Sequence, residues 1–338
     1  MTEPAIFHYK QPFTLENNQV LPELEIAYHT FGTLNAEKSN VIWVIHALTA
    51  NSDVSDWWSG LFGKGNILDS ERYFIICANN LGSCYGSTHA LSVNPDTQSP
   101  YFHDFPLLTI RDMANSLDLL RQHLDLPQIH LLLGGSLGGQ IAMEWAIMNN
   151  QLFKNLVLLA TNAFHSPWGI AFNEAQRMAI EADYSWKYNH IQAGMLGLKA
   201  ARAIALISYR NQFTYNQTQK EEDFDKTDDF KASSYQQYQG EKLIRRFNAF
   251  AYWTLSKAMD SHQVARNRKS IENALETIKA KTAVIGISSD ILFPVEEQKF
   301  LAKHIPHATY HEIDSFYGHD GFLLEFEAIS KVIQQHLS

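Results

Sequence analysis

The stretch HLLLGGSLGGQIAMEW, residues 130–145, sets an apolar run against two glycine pairs with a single serine between them. The uninterrupted leucines suit a strand buried on both faces, and the residues after Gly139 have helical spacing. The chain must therefore turn from strand to helix around Ser136. Two readings of the glycines stand at this point. Either they only let a strand and a helix pack closely, or they also make room for a sharp turn that presents a reactive hydroxyl.

The same alternation recurs along the chain. ELEIAYHTFG alternates in the manner of an antiparallel strand, while NVIWVIHAL and YFIICANNLG are continuous apolar runs bounded by turn residues, as expected of strands covered on both faces. TIRDMANSLDLLRQHL has helical spacing, with Ile110, Met113, Leu117 and Leu120 on one face and Thr109 as its cap. IHLLLGG, NLVLLAT, KTAVIGISS and ATYHEID read as further strands, and GGQIAMEWAIMNN, VEEQKFLAKHI and GFLLEFEAISKVIQQHL as helices. Helices between apolar strands demand crossover connections, hence a mostly parallel central sheet with flanking helices. Between Ser166 and Arg268 the pattern changes. NEAQRMAIEAD, AGMLGLKAARAIALIS and YQGEKLIRRFNAFAYWTLSKAMD look helical, separated by the polar stretch NQTQKEEDFDKTDDFKASS. The expected organisation is an α/β core in two parts, 1–165 and 269–338, with a helical cap at 166–268 placed over an active site.

Composition excludes several classes. Of 338 residues, 45% are hydrophobic and 19% charged, which argues against disorder. Twenty-seven Lys and Arg against 36 Asp and Glu leave a net charge of −9, the wrong sign for a general nucleic-acid binder. No apolar run approaches the roughly 18 residues of a membrane span, and MTEPAIFHYKQPF lacks the basic start and apolar core of a signal peptide. Cys77 and Cys84 are the only cysteines; two thiols in a chain of this size read as a reduced, cytoplasmic protein, although a disulfide between them is open. Cys84 in LGSCYGS reads as a buried small residue in preference to a nucleophile. The sequence calls for neither a metal nor a resident cofactor.

Residues 134–138 spell G-x-S-x-G, the nucleophile-elbow pattern, here after a buried strand and before a helix whose positive dipole end favours an oxyanion. A serine hydroxyl needs a base to take its proton, and the base needs a group to orient it. In an α/β-hydrolase fold the acid and then the histidine follow the serine. GISSDILFP puts Asp290 directly after a strand, and SFYGHDGF puts His319 in a glycine-flanked loop before the last helix. Asp314 is a rival acid, but it sits only five residues before His319. Two backbone N–H groups must hold the oxyanion. Leu137, next to the nucleophile, is one, and Leu48, in the turn after NVIWVIHAL, is the choice for the other.

Ordered blocks spread from Tyr28 to Phe322 resemble the homoserine O-acetyltransferases, acyltransferases of the α/β-hydrolase superfamily that serve methionine biosynthesis. These blocks include HALTA, DWWSGLFGKGNILDSERYFIICANNLGSCYGST, FPLLTIRDM, GGSLGGQIAMEW, YQGEKLIRRF, AMDSH and GHDGFL. The resemblance implies that Ser136 takes an acetyl group from acetyl-CoA, a co-substrate, with His319 as base. L-Homoserine then removes the acetyl group in a ping-pong scheme. It further implies that Arg202 meets the acceptor's carboxylate, that Asp320 meets its ammonium, and that Tyr209 is a third contact. Arg210 is a rival cation. A homodimer formed through the cap is also implied, and the aromatic stretch FNAFAYWTL offers surface for it, though core packing explains that stretch equally well.

Several residues depart from the family pattern. Ala50 stands where glycine is usual, Asn51 and Gln263 where aspartate is frequent, and Leu137 where methionine is common. The first two adjoin the oxyanion loop and bear on the choice of donor and acceptor. A succinyl donor, a serine acceptor, and an esterase or thioesterase that transfers to water therefore stay as alternatives. A silent binding protein on the same scaffold is disfavoured, because the serine, acid and histidine are all present.

Overall fold

A computed structural model describes residues 3–338. Its central sheet has eight strands: β1 (Ala5–Tyr9), β2 (Leu24–Phe31), β3 (Val41–Ile45), β4 (Phe74–Ala78), β5 (Ile129–Gly135), β6 (Phe153–Leu159), β7 (Lys281–Ile287) and β8 (Thr309–Ile313). Across the sheet they lie in the order β1-β2-β4-β3-β5-β6-β7-β8. From β3 to β8 every pairing is parallel. Only β2 runs against its neighbours. This is the mostly parallel α/β arrangement expected from the alternating pattern.

The apolar runs are continuous because both faces of the sheet are buried. Val41, Trp43 and Ile45 of β3 join Leu156, Leu158 and Val284 in one core cluster. The intervening Ile42 and Val44 join Leu131, Leu133, Val157 and Ile285 in the other. Strand periodicity of two thus sends alternate residues to opposite cores. Helices α1 (Ile110–His123) and α2 (Leu137–Met148) bury Met113, Leu117, Ile141 and Trp145 in the first core. Thr109 caps α1 in a reciprocal box with Asp112.

Between β6 and β7 the described residues form no named strand. The main helices there are α3 (Pro167–Glu181), α4 (Met195–Tyr209), α5 (Gln212–Thr218), α6 (Lys231–Ile244) and α7 (Ala249–Asp260), followed by a shorter one at Ile271–Glu276. Helix α3 packs on α4, and α4 on α6. Phe250, Tyr252, Leu255 and Met259 of α7 enter the same core as β3 and α2, so this helical layer is seated on the sheet by shared apolar burial. After β7 come α8 (Val295–His304) and, following β8, α9 (Phe326–Leu337); Ile329 and Ile333 of α9 fill the second core.

Some elements differ from the expectation. YQGEKLIRRFNAFAYWTLSKAMD is not one helix: α6 stops at Ile244, and Asn248 starts α7 by accepting from Ala251 N–H. Its aromatic part is core, with Phe247, Phe250 and Tyr252 buried, which removes it as a docking surface. The final helix breaks at Glu325. The polar stretch is not all loop, since α5 and α6 take its two ends. Strand β1 gives little signal because only Phe7 of its five residues is buried.

The elbow is set by backbone proximity. A Cβ at Gly134 would lie 2.3 Å from the Gly138 carbonyl oxygen, and one at Gly138 would lie 2.2 Å from that of Ile45. Ser136 between them adopts φ +55°, a left-handed conformation that costs a non-glycine residue on the order of 1 kcal/mol. Both original readings of the glycines therefore hold together. Gly138→Ala is expected to lower stability by about 2 kcal/mol or more, because β3 or α2 must move to admit the methyl. Urea unfolding measures this; an unchanged midpoint would contradict so close an approach.

Candidate active site

Ser136, Asp290 and His319 come from three separate strand ends and meet at the carboxyl edge of the sheet. Ser136 follows β5, Asp290 follows β7, and His319 follows β8 in a turn spanning Gly318–Asp320. His319 Nε2 lies 2.9 Å from Ser136 Oγ, and His319 Nδ1 lies 2.6 Å from Asp290 Oδ2. The second carboxylate oxygen of Asp290 accepts the N–H groups of Leu292 and Phe293 at 2.8 and 2.9 Å. A carboxylate can only accept, so the imidazole bears its proton on Nδ1, and Nε2 is left to receive the serine proton. The ring of Phe293 stacks on His319 at 5.0 Å and Phe322 packs at 5.1 Å, which restricts imidazole rotation. The rival acid Asp314 is engaged elsewhere, accepting from Ser288 Oγ at 2.9 Å.

Leu137 opens α2, where the first N–H groups of a helix have no intrahelical acceptor. Leu48 lies in the turn after β3, and both this turn and Ser136 border one cavity of about 570 Å³. The turn is braced by groups that sequence reasoning did not single out. His46 Nδ1 donates to Ala47 O at 2.8 Å while Nε2 accepts Asn80 N–H at 3.0 Å. Burial lowers the His46 pKa to about 4, so the ring stays neutral and keeps both bonds. From the cap, Arg246 Nη1 donates to Thr49 O at 2.6 Å and contacts Tyr85 Oη at 2.5 Å. No local pattern identifies these partners, which lie 34 to 197 residues apart.

The unusual residues are accommodated locally. Asn51 Oδ1 accepts Asp53 N–H at 2.8 Å, an Asx-type turn that aspartate makes equally well. Gln263 Oε1 accepts Ala265 N–H at 3.1 Å. Ala50 lines the cavity. Cys77 and Cys84 are free thiols. Burial raises the Cys84 pKa to about 11, which leaves it a poor nucleophile.

Arg202, Tyr209, Arg210 and Asp320 all line the cavity with Ser136 and His319. The Arg202 guanidinium stands 5.3 Å from the centre of the Tyr209 ring, and that ring lies 5.9 Å from His319. Asp320 is engaged by the rival cation, with Arg210 Nε 2.9 Å from Oδ2. Among the described residues, no group of three or more His, Cys, Asp or Glu side chains is arranged to hold a metal. No helix there is long and apolar enough to cross a membrane.

The α/β-hydrolase fold family model matches residues 40–326. The chain is 50% identical to the homoserine O-acetyltransferase of Cyclobacterium marinum, over 97% of this chain and 93% of that protein. Membership follows. The chain belongs to the homoserine O-acetyltransferase family of α/β hydrolases. It is also 44% identical to the Chlorobaculum parvum homoserine O-acetyltransferase, over 96% of this chain and 92% of that one. Among solved structures, the Bacillus anthracis homoserine O-acetyltransferase superposes with a TM-score of 0.92 at 25% identity, covering 100% of this chain and 98% of that one. An acetylester hydrolase from Corynebacterium glutamicum shares the fold, with a TM-score of 0.88 at 23% identity over 99% and 95% of the two chains.

Behind Asp290 lies a buried polar network. Glu297 Oε2 accepts Asn162 Nδ2 at 2.9 Å, and Asn162 Oδ1 accepts Gln140 Nε2 at 2.9 Å. Burial, helped by the charge of Asp290, raises the Glu297 pKa to about 7 from an ordinary 4.5. Between those values the folded protein keeps a proton that the unfolded chain releases, so stability falls as pH rises across that window and stays lower above it. Glu297→Gln imitates the neutral form. It is expected to match the wild type at about pH 4 and to exceed it by on the order of 2 kcal/mol at about pH 8. Unfolding curves at both values test this; a difference independent of pH would mean that the carboxyl titrates alike in the folded and unfolded chain.

Proposed function

We propose that this protein transfers the acetyl group of acetyl-CoA to the side-chain hydroxyl of L-homoserine, giving O-acetyl-L-homoserine and CoA. The observation that carries the reading is the single cavity in which Ser136 and His319 are joined by an arginine, Arg202, and an acid, Asp320. A hydrolase needs only the first two groups. A free amino acid brings a carboxylate and an ammonium, and each requires an opposite charge when it leaves water.

In the first half-reaction Ser136 Oγ attacks the thioester carbonyl while His319 Nε2 takes the hydroxyl proton. The N–H groups of Leu48 and Leu137 hold the oxyanion, each donor being worth about 3–4 kcal/mol in comparable sites. The tetrahedral adduct expels the CoA thiolate, which receives the proton from His319, and acetyl-Ser136 remains. L-Homoserine then binds with its carboxylate on Arg202, beside Tyr209, and its ammonium on Asp320. His319 removes the proton of its hydroxyl as the oxygen attacks the acetyl carbon. Collapse of the second adduct breaks the bond to Ser136 Oγ, and the proton returns to the serine. Asp290 holds the imidazole through both steps and stabilises its charged form. The sequence of steps needs no resident cofactor.

We place the protein in the cytoplasm, in keeping with its free thiols. We also read it as a homodimer through the cap, where Met178, Leu196, Ile207 and Phe213 leave large apolar side chains exposed.

Thiol release from acetyl-CoA is expected to depend strongly on added L-homoserine; equal rates with and without it would favour hydrolysis. Mass spectrometry of the products from mixed acetyl-CoA and succinyl-CoA, offered L-homoserine or L-serine, then identifies donor and acceptor. Ser136→Ala is expected to lower kcat by about 10⁴-fold or more while the protein stays folded. Substantial residual transfer in that variant would contradict the acetyl-serine intermediate.

A further inference from the structure

Asp320 already has a partner within the chain, and the way that partner is held suggests what it does. Arg210 directly follows α4, and this end of the cap is docked on the loop that carries His319. Asn211 Nδ2 donates to Phe316 O at 3.1 Å, and Thr214 Oγ1 donates to the same carbonyl. Gly318, at φ +65°, passes so close that a Cβ there would stand 2.9 Å from the Tyr209 carbonyl oxygen and from the carbonyl carbon of Arg210. The backbone of Arg210 is therefore fixed relative to the turn that contains both His319 and Asp320.

The contact between the side chains is one of charge more than of direction. Arg210 Nε lies 2.9 Å from Asp320 Oδ2, yet its N–H has no aligned acceptor among the described residues. A carboxylate has about four lone-pair positions, so this contact leaves Asp320 able to accept further donors. Asp320 is faced by Arg210 and Arg202 from the cap, by His319 on its own turn and by Asp290 after β7. The phenols of Tyr209 and Tyr215 also stand near it. Burial pushes its carboxyl toward the neutral form, the two arginines and His319 oppose this, and Asp290 adds to it. Once Arg202 is paired with the acceptor's carboxylate, Arg210 is the cap cation left to Asp320.

We propose that Arg210 is a positioning residue for the acceptor: held by the docked end of α4, its permanent charge keeps Asp320 an anion facing the cavity, ready for an α-ammonium. This rests on the reading of Asp320 as the partner of that ammonium. The guanidinium suits the task because it stays protonated at any working pH. The cap thus contributes to amino-acid selection through a residue that need not touch the amino acid.

The test is steady-state kinetics with saturating acetyl-CoA and varied L-homoserine between about pH 6 and 8, on the wild type and on R210M, R210K and D320N. For R210M, the KM for L-homoserine is expected to rise about tenfold at the acid end, equivalent to losing one modest charged contact. It should fall back as pH rises, because burial without the charge of Arg210 favours the neutral carboxyl most at the acid end, and the change in kcat should be smaller. R210K should restore the flatter profile of the wild type. An unchanged KM in R210M, or an increase equal at every pH and shared by R210K, would overturn the proposal. A loss confined to kcat and to the acylation burst with p-nitrophenyl acetate would also overturn it, since Arg210 would then only brace His319. Should R210M not fold, R210Q carries the same readout. D320N separates the two levels. If it leaves KM untouched, the ammonium reading itself fails; if it raises KM while R210M is silent, only the role of Arg210 fails.

Discussion

Where β5 turns into α2, the backbone of Gly138 runs against the carbonyl of Ile45 in the neighbouring strand, leaving no room for a single methyl group. That approach forces Ser136 into its left-handed conformation and directs its hydroxyl out of the sheet. Ser136 and the turn after β3 then border the same cavity. The turn at Ser136 and its closeness to the end of β3 are thus products of one packing constraint. The helix could not retreat without uncovering the apolar layer that Ile141 and Trp145 share with β3, so the strain at Ser136 is held in place by core burial.

Much of this was legible in the sequence where burial imposes a pattern. Strand β3 is apolar throughout, and β5, β6 and β7 over most of their length, because each face meets its own core, and such runs need no long-range information to be recognised. Ser136, Asp290 and His319 stood out because each follows a strand at the edge where a parallel sheet gathers its loops. Strand β1 was invisible because it buries only Phe7, and the break between α6 and α7 was hidden in an apolar run that helix and core explain alike. The helix that breaks at Glu325 was hidden in the same way. The braces of the oxyanion turn and the network through Glu297 were illegible for another reason. They join polar residues across large sequence separations, and a buried hydrogen bond leaves no periodicity. The Arg210–Asp320 contact belongs to this second group: the sequence has two arginines near Tyr209, and only the folded chain shows which one comes within 2.9 Å of the acid.

The helical layer between β6 and β7 meets the site at two points. Arg246 reaches from the segment between α6 and α7 to the carbonyl of Thr49, beside the proposed oxyanion donor. The end of α4 locks onto the histidine loop through Phe316 and Gly318. Both halves of the site therefore touch the helical layer, and α7 anchors that layer in the common core. The C. glutamicum acetylester hydrolase has the same fold, so the scaffold alone does not decide whether water or an amino acid receives the acyl group.

The strand order has a consequence for a chain still emerging from the ribosome. Residue 136 is made early, but its imidazole and carboxylate arrive 183 and 154 positions later, the first being the separation of the bonded pair and the second the difference between 290 and 136. Until β7 is laid against β6 and β8 against β7, Ser136 lacks the imidazole and carboxylate that meet it in the folded chain. An unfinished copy with an open sheet edge therefore carries the alcohol without either of its partners.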